Sequence, residues 1–434
     1  MSISIKLASA VALAFVAVPH AAPAAQLDYT LYTGIEHSDN INLAANRPIS
    51  QNVFIPGINF TYAQQGSTAQ ANIAGNLEYR DYLGSRFSNQ LQAQLAGKAN
   101  WTLAPGRLDF AVQDYAGIQP IDRLASNAPN NQQQTNVFAA GPLLHFRLGD
   151  ALLGQAELRY VNSYAQKSAD FNSQRSQASF RLLRNLNPND QISANIESQR
   201  IAFSRNATSS NYKRSELFGR YISKLAHSSL DIVLGWSKLD FDHGATRTIS
   251  SPLARATLAW LPTQHSTFTI AAAREYSDAA ADMLLQPNEI VNGTGRGINI
   301  GNAVINSQVY LDQRAELTYA FSSERVNVTV APMYRKLGYI NGSSFNQTGR
   351  GGGISLDYRL RPTLTLSAFA AGEKLTYDTL ARRDRTVNYG LSLTQQWTPR
   401  WSWRVSLIHQ QRSSTAPDQG FRENQIYFGV VFKR

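Results

Sequence analysis

The 434-residue chain contains no cysteine. Disulfides, thiolate metal sites and cysteine nucleophiles are therefore excluded together. Long apolar runs are almost as scarce. Leu7 to Val18 is the longest, and it is short for a bilayer-spanning helix. With Lys6 before it and Ala22-Pro23-Ala24 after it, the stretch reads as a secretory signal peptide cut after Ala24 or Ala25. Residues 1–25 are thus assigned to the signal and 26–434 to one barrel domain. With no cysteine at the cleavage region, a lipoprotein anchor is excluded. Charge is also thin, at 16% of residues, although the balance is +11. The basic residues are spread singly rather than gathered into a stripe, so no nucleic-acid partner is expected. An anionic solute or an anionic lipid surface fits better.

Catalytic signatures are missing too. There is no Gly-x-Ser-x-Gly elbow and no phosphate-cradling Gly-x-x-x-x-Gly-Lys. Gly293-Thr294-Gly295-Arg296-Gly297 does not complete a dinucleotide fingerprint and reads as loop. The histidines lack metal-ligand spacing. Asp240-Phe241-Asp242-His243 is the one cluster with chemical possibilities, either calcium binding or acid–base work at a barrel rim. Its ordinary reading is a solvated loop end. No cofactor, metal or enzymatic activity is expected.

What the chain does have is alternation. Ala69, Ala71, Ile73, Gly75, Leu77 and Tyr79 interleave with Gln70, Asn72, Asn76, Glu78 and Arg80. Leu91 to Leu103 then alternates with Gln92, Gln94, Lys98, Asn100 and Thr102. Soluble strands usually run about 5–6 residues. The period-two pattern here runs longer, as in a tilted strand crossing a bilayer with lipid on one side and water on the other. Repeated along the chain, it predicts an all-β fold: a transmembrane, antiparallel, up-and-down β-barrel of about twenty strands, between 18 and 22.

Connections alternate between short and long. Ala104-Pro105-Gly106, Gly149-Asp150, Asn187-Pro188-Asn189, Pro262-Thr263, Arg361-Pro362 and Thr398-Pro399-Arg400 are short and carry turn residues. The others are expected to run about nine to thirty residues. With the N-terminus in the periplasm, the short turns fall on the periplasmic side. Residues 117–136 and 278–308 are the longest loops, and either surface loops or inward-folded constrictions are compatible with them. Trp101, Trp260, Trp397, Trp401 and Trp403 lie beside short turns, with Trp236 apart. Tyr82, Tyr115, Tyr164, Tyr212, Tyr276, Tyr339 and Tyr377 lie near long loops. Two interfacial girdles are expected from this sorting.

The functional candidates lie on the predicted inward face. They are Arg80, Lys98, Arg147, Arg159, Arg181, Arg220, Arg255, Arg314, Arg335, Arg359 and Arg404, with Glu157, Glu316 and Asp357 among the acids sharing it. Guanidinium groups in a wet pore select anions. Alternatively, Arg and Glu on neighbouring strands simply pair and stiffen the wall.

The chain ends on Ile426, Phe428, Val430 and Phe432, one wholly apolar face of a terminal strand. This resembles the closing strand of bacterial outer-membrane barrels, which the barrel-assembly machinery reads. It is predicted to pair with Leu27–Leu31. Lys433-Arg434 beyond the last aromatic departs from that pattern. Further motifs are His37-Ser38-Asp39-Asn40-Ile41-Asn42-Leu43, Phe54-Ile55-Pro56-Gly57-Ile58, Tyr79-Arg80-Asp81-Tyr82 and Trp101 to Leu108. With these the chain resembles the outer-membrane β-barrel porins encoded with exopolysaccharide biosynthesis and PEP-CTERM sorting loci. The resemblance is sharpest over residues 27–120. It implies a bacterial outer-membrane pore tied to surface-polysaccharide export. The partners expected are outer-membrane lipid and lipopolysaccharide, the assembly machinery, an anionic polysaccharide or small anionic solutes, and periplasmic export components. A general diffusion porin for small anions and a non-channel barrel serving as scaffold or hydrolase are the alternatives.

Overall fold

A computed structural model describes residues 25–84, 86–149, 151–204, 211–243, 247–285 and 303–434. The signal-peptide assignment up to residue 24 and the Gly293–Gly297 run lie outside the described residues, as does Asp150 of the Gly149-Asp150 turn. The chain folds as twenty strands in one sheet. In order they are β1 (Gln26–Ser38), β2 (Gln51–Gln65), β3 (Ala69–Leu83), β4 (Gln90–Ala104), β5 (Leu108–Pro120), β6 (Gln132–Leu148) and β7 (Leu152–Ala165). Next come β8 (Ser173–Asn185), β9 (Asp190–Phe203), β10 (Tyr212–Lys224), β11 (Ser228–Phe241), β12 (Thr248–Thr263) and β13 (Ser266–Ser277). A short helix, α1 (Ala279–Leu285), follows. The barrel continues with β14 (Tyr310–Ser322), β15 (Val326–Tyr339), β16 (Gln347–Arg361), β17 (Leu364–Tyr377), β18 (Arg382–Gln396), β19 (Trp401–Ser414) and β20 (Phe421–Lys433).

Each strand pairs antiparallel with its neighbours in sequence, and β20 closes onto β1. Closure removes the open edges that would leave backbone groups unpaired in lipid. The seam differs from the one expected. Phe432 does face Leu31, but Ile426 meets His37, and the paired stretch of β1 is Thr30–Ser38 rather than Leu27–Leu31. The strand continues past Tyr32 because Gly34, Glu36 and Ser38 keep the alternation going with inward small or polar residues. Ile35 faces Phe428 across the seam, and both are more than half exposed on the outside.

The outward face is the apolar one. Leu31, Leu91, Leu103, Leu158, Ile196, Leu217, Leu234, Leu391 and Leu407 are among its exposed hydrophobics. In water such a band would be unstable; in lipid it is solvated. The short connections all lie at one end. Gly106 and Gly149 take φ of +68° and +72° there, which tight turns need and side-chain-bearing residues resist. At the same end Trp260 stacks on Phe268 at 5.5 Å, Phe268 meets Tyr319 at 4.6 Å, and Trp401 meets Phe432 at 5.0 Å. The periplasmic aromatic girdle is therefore present.

The opposite end departs from expectation in two ways. Its connections are shorter, some as brief as 378–381, because the strands run on above the lipid zone. The tyrosines there do not form a second girdle. Tyr82, Tyr115, Tyr212, Tyr339 and Tyr377 share the inward face with Arg80, Asp109, Arg214, Arg335 and Glu373 of their strands and are buried, as is Tyr276. Tyr164 is the one of the set exposed on the outside. The physical reason is packing. At this end the inward positions carry Val137, Ala139, Val161, Ile201, Phe203, Leu239, Phe241 and Leu337, which form closed apolar clusters. The lumen is thus not uniformly wide and wet. Its outer part has a packed core.

Candidate functional site

Every predicted lumen residue does lie on the inward face. The cross-strand register carries one line of inward positions through Lys98, Gln113 and Ala139, and others through Glu157 and Ser179 or Arg314 and Arg335. What the sequence could not separate is which of these residues are neutralised. Arg80 bonds Glu36 at 2.5 Å and Glu78 at 3.0 Å. Arg159 bonds Glu157 at 2.6 Å, and Arg220 bonds Asp231 at 2.5 Å. Arg255 bonds Glu275 at 2.7 Å. Arg314 reaches Asp312 at 2.7 Å, Glu275 at 3.1 Å and Glu316 at 3.9 Å. Arg335 bonds Asp312 at 3.0 Å and also Asp282.

The remaining cations have no carboxylate within ion-pair distance among the described residues. Arg181 is held by Asn195 at 2.6 Å and Gln155 at 3.4 Å. Arg404 is held by Ser406 at 3.0 Å and Ser392 at 3.4 Å. Lys98, Arg147 and Arg359 are exposed to the lumen. All five sit in the turn-end halves of their strands. Asp357, predicted beside them, accepts from Ser367 at 2.5 Å. The inner face is therefore uneven: the five free cations lie toward the periplasmic turns, together with Asp357 and the Arg220–Asp231 and His145–Asp109 pairs, while most of the paired charge and the apolar core lie toward the outer loops.

In the outer half Asp278 and helix α1, which follow β13, fold inward. Asp278 caps α1, its carboxylate accepting from the backbone N–H of Ala280 at 3.0 Å and Ala281 at 3.1 Å. The same carboxylate accepts two bonds from Arg175 of β8, at 2.7 and 2.8 Å, and one from the Tyr212 hydroxyl at 2.6 Å. Burial pushes the Asp278 acid up, but the Arg175 charge, its forked hydrogen bonds and the Tyr212 hydroxyl outweigh that. The acid is left well below the usual carboxylate range. From its other side, Asp282 of α1 accepts from Tyr310 at 2.7 Å and from Arg335. Ala279, Ala280 and Met283 pack on Val137, Ala139, Val161 and Ala165 of β6 and β7. One short helix thus bridges walls that are far apart around the barrel.

The second long loop also turns inward. Its strands extend further than expected, leaving only 121–131 as connection. The carbonyls of Leu124 and Ala125 accept from Arg412 at 3.0 Å, and Leu124 accepts from Arg382 at 2.5 Å. Those arginines belong to β19 and β18 and are steadied by Asp384. Ala128 packs with Leu43 and Phe421. Of the two readings open for these segments, the inward one describes residues 121–131 and 278–285, which form two straps.

Arg175, Asp278, Asp282, Arg382 and Arg412 were not singled out from sequence. Asp278 ahead of an Ala-rich run is a helix-start signal that was available. The others carry no local signal, because their partners are remote in the chain. In the Asp240–His243 cluster the two carboxylates take separate partners. Asp240 pairs with Lys238 at 3.0 Å and Thr248 at 2.8 Å, and Asp242 pairs with Arg200 at 2.5 Å. No group of three potential metal ligands occurs among the described residues.

No curated protein sequence matches the chain. Among solved structures, the FrpB iron transporter of Neisseria meningitidis (F5-1 variant) is 9% identical, with a TM-score of 0.46, covering 95% of this chain and 83% of that one. The ferric enterobactin receptor PfeA of Pseudomonas aeruginosa, in complex with BCV-L6, is 10% identical, with a TM-score of 0.47, covering 95% and 82%. Residues 346–434, which carry β16 to β20, match the model of the family described as "Putative beta-barrel porin 2". The match falls on the closing strands and not on residues 27–120, and it carries no association with exopolysaccharide. The chain is thus a closed antiparallel β-barrel of the outer-membrane type with an apolar outer band, and its last five strands are similar to that porin family.

Proposed function

We propose that this barrel is a gated, non-enzymic passage for anionic cargo in the bacterial outer membrane, entered from the periplasm. An acidic surface polysaccharide is its cargo. The observation that carries the reading is the division of the lumen. Lys98, Arg147, Arg181, Arg359 and Arg404 offer unneutralised positive charge at the turn end. Above them the α1 strap is tied to the wall by paired charges, which supports a gate at the exit. Rings of guanidinium groups attract anions and hold them weakly enough to pass on. An export route needs this order, with attraction at the entrance and closure at the exit.

Reversal potentials in a salt gradient across a planar bilayer test the selectivity. Anion preference with brief, infrequent openings is expected; cation preference, or a trace closed at every voltage after the strap is removed, would defeat the reading. Deleting the gene tests the cargo. Loss of polymer secretion with small-anion uptake intact is expected, whereas the reverse result identifies a diffusion porin for small anions.

A further inference from the structure

The barrel wall is not uniformly zipped. Between β4 and β5 the backbone ladder stops at Leu95 opposite Ala116, although β4 begins at Gln90 and β5 runs to Pro120. Above that point a side chain replaces the ladder. The Gln134 carboxamide accepts from the Ala93 N–H at 3.2 Å, and donates to the Ala93 carbonyl at 2.7 Å and the Gly117 carbonyl at 3.2 Å. It acts as a removable peptide group. Two further glutamines tie the same edge. Gln92 donates to Gln132 at 2.9 Å, and Gln90 donates to the Pro129 carbonyl at 2.7 Å. The tip of the β5–β6 hairpin has left the wall to reach β18 and β19, and the seam is what it leaves behind.

The β12–β13 ladder also ends early, at Ala254 opposite Arg274, but the apolar cluster around Tyr276 lies beside it. The β4–β5 seam is polar on its lumen side instead, while Leu95 and Ala116 are buried at its lower end. Gln90, Gln92 and Gln94 face the lumen, and the free Lys98 follows below them on the same face. On the outside, next to the seam, Asn136 donates to Asp114 at 2.6 Å, on the face that elsewhere meets lipid tails. A carboxylate there is costly unless polar matter accompanies it.

We propose that the β4–β5 seam is a lateral portal between the lumen and the outer leaflet, admitting the acidic headgroup of a membrane amphiphile toward Lys98. The portal opens through the wall and not along the axial route, into which the two straps fold. A backbone ladder resists opening because each lost pair leaves two unsatisfied groups in a lipid setting. A seam closed by glutamine side chains opens with those side chains keeping company with headgroups and water.

The test uses the full chain in native outer membranes, with a photoreactive benzophenone side chain at Gln94 or, as control, at Thr318 on the opposite wall. Lipopolysaccharide and phospholipid adducts are read by mass spectrometry. Adducts at position 94 are expected in several-fold excess over position 318. They should rise further in Gln134→Leu and fall several-fold in Lys98→Gln. No lipid adduct at 94, or equal yields at both positions, overturns the portal. Adducts to a second protein chain also overturn it, since the seam would then be an interface. If Gln134→Leu fails to give the folded, heat-modifiable band, the comparison of 94 with 318 and the Lys98→Gln arm still decide.

Discussion

Asp278 joins several parts of the inner wall. It caps α1, pairs with Arg175 and accepts from Tyr212, so one carboxylate fixes a strap to two strands. Breaking a buried pair by removing one partner typically costs about 3–5 kcal/mol, because the other charge is stranded. Asp278→Asn should therefore release the strap and raise single-channel conductance, while the barrel still migrates as folded. The double variant R175M/D278L removes both charges and fills the space with apolar groups, so it should return the channel toward its closed trace. The pH dependence has a definite sign. A carboxyl whose folded pKa is depressed contributes stability that is fully present above its unfolded pKa, about 3.9, and is lost as pH falls through the lower folded value. Conductance should thus stay constant from about pH 8 to pH 4 and increase only in stronger acid. Openings that appear near neutral pH would place the latch elsewhere.

Two elements decide whether the barrel exists and whether it is shut. The closing strand β20 lays Ile426, Phe428, Val430 and Phe432 on the lipid face, and Phe428 stands opposite Ile35 in mid-seam. A cationic residue at the mid-bilayer level of a barrel's outer face costs about 2–4 kcal/mol. Phe428→Arg should therefore reduce or abolish the heat-modifiable folded band; normal assembly would mean that this face does not meet lipid. Helix α1 makes no contribution to the ladder. Removal of residues 279–302 should leave the folded band intact and raise conductance more than Asp278→Asn does. The two elements differ in how they were legible. The period-two pattern exposes β20 because lipid and lumen alternate along it. α1 sits in a loop whose role depends on Arg175 and Arg335, neither of which stands near it in the chain.

For the molecule as a whole, the inward cations matter by position rather than number. Arg220 and Asp231 neutralise each other, so R220Q/D231N should leave ion selectivity nearly unchanged. Replacing Lys98, Arg147, Arg359 and Arg404 together by glutamine should move the reversal potential toward cation preference without loss of folding, since none of the four has an ion-pair partner among the described residues. Unchanged selectivity would show that anions do not sense the turn-end lumen. The net charge of +11 does not forecast this, because it does not reveal which charges are paired.

Alternation predicted about twenty strands and their inward and outward faces, and turn residues with tryptophan placement predicted the periplasmic turns and their girdle. Each of these is local: lipid, water and turn geometry act on one or two residues at a time, so the period is written directly in the chain. The tertiary structure decided the rest. Tyr82, Tyr115, Tyr212, Tyr339 and Tyr377 have the spacing of a girdle, yet they turn inward because the strands outlast the bilayer and their tops pack as a core. Arg175 and Asp278, distant in sequence, meet only after the barrel has closed and the loop has folded into it. Which arginines remain free, where the passage is shut and where the wall is unzipped all depend on such long-range encounters, and a period-two pattern carries no information about partners across a lumen.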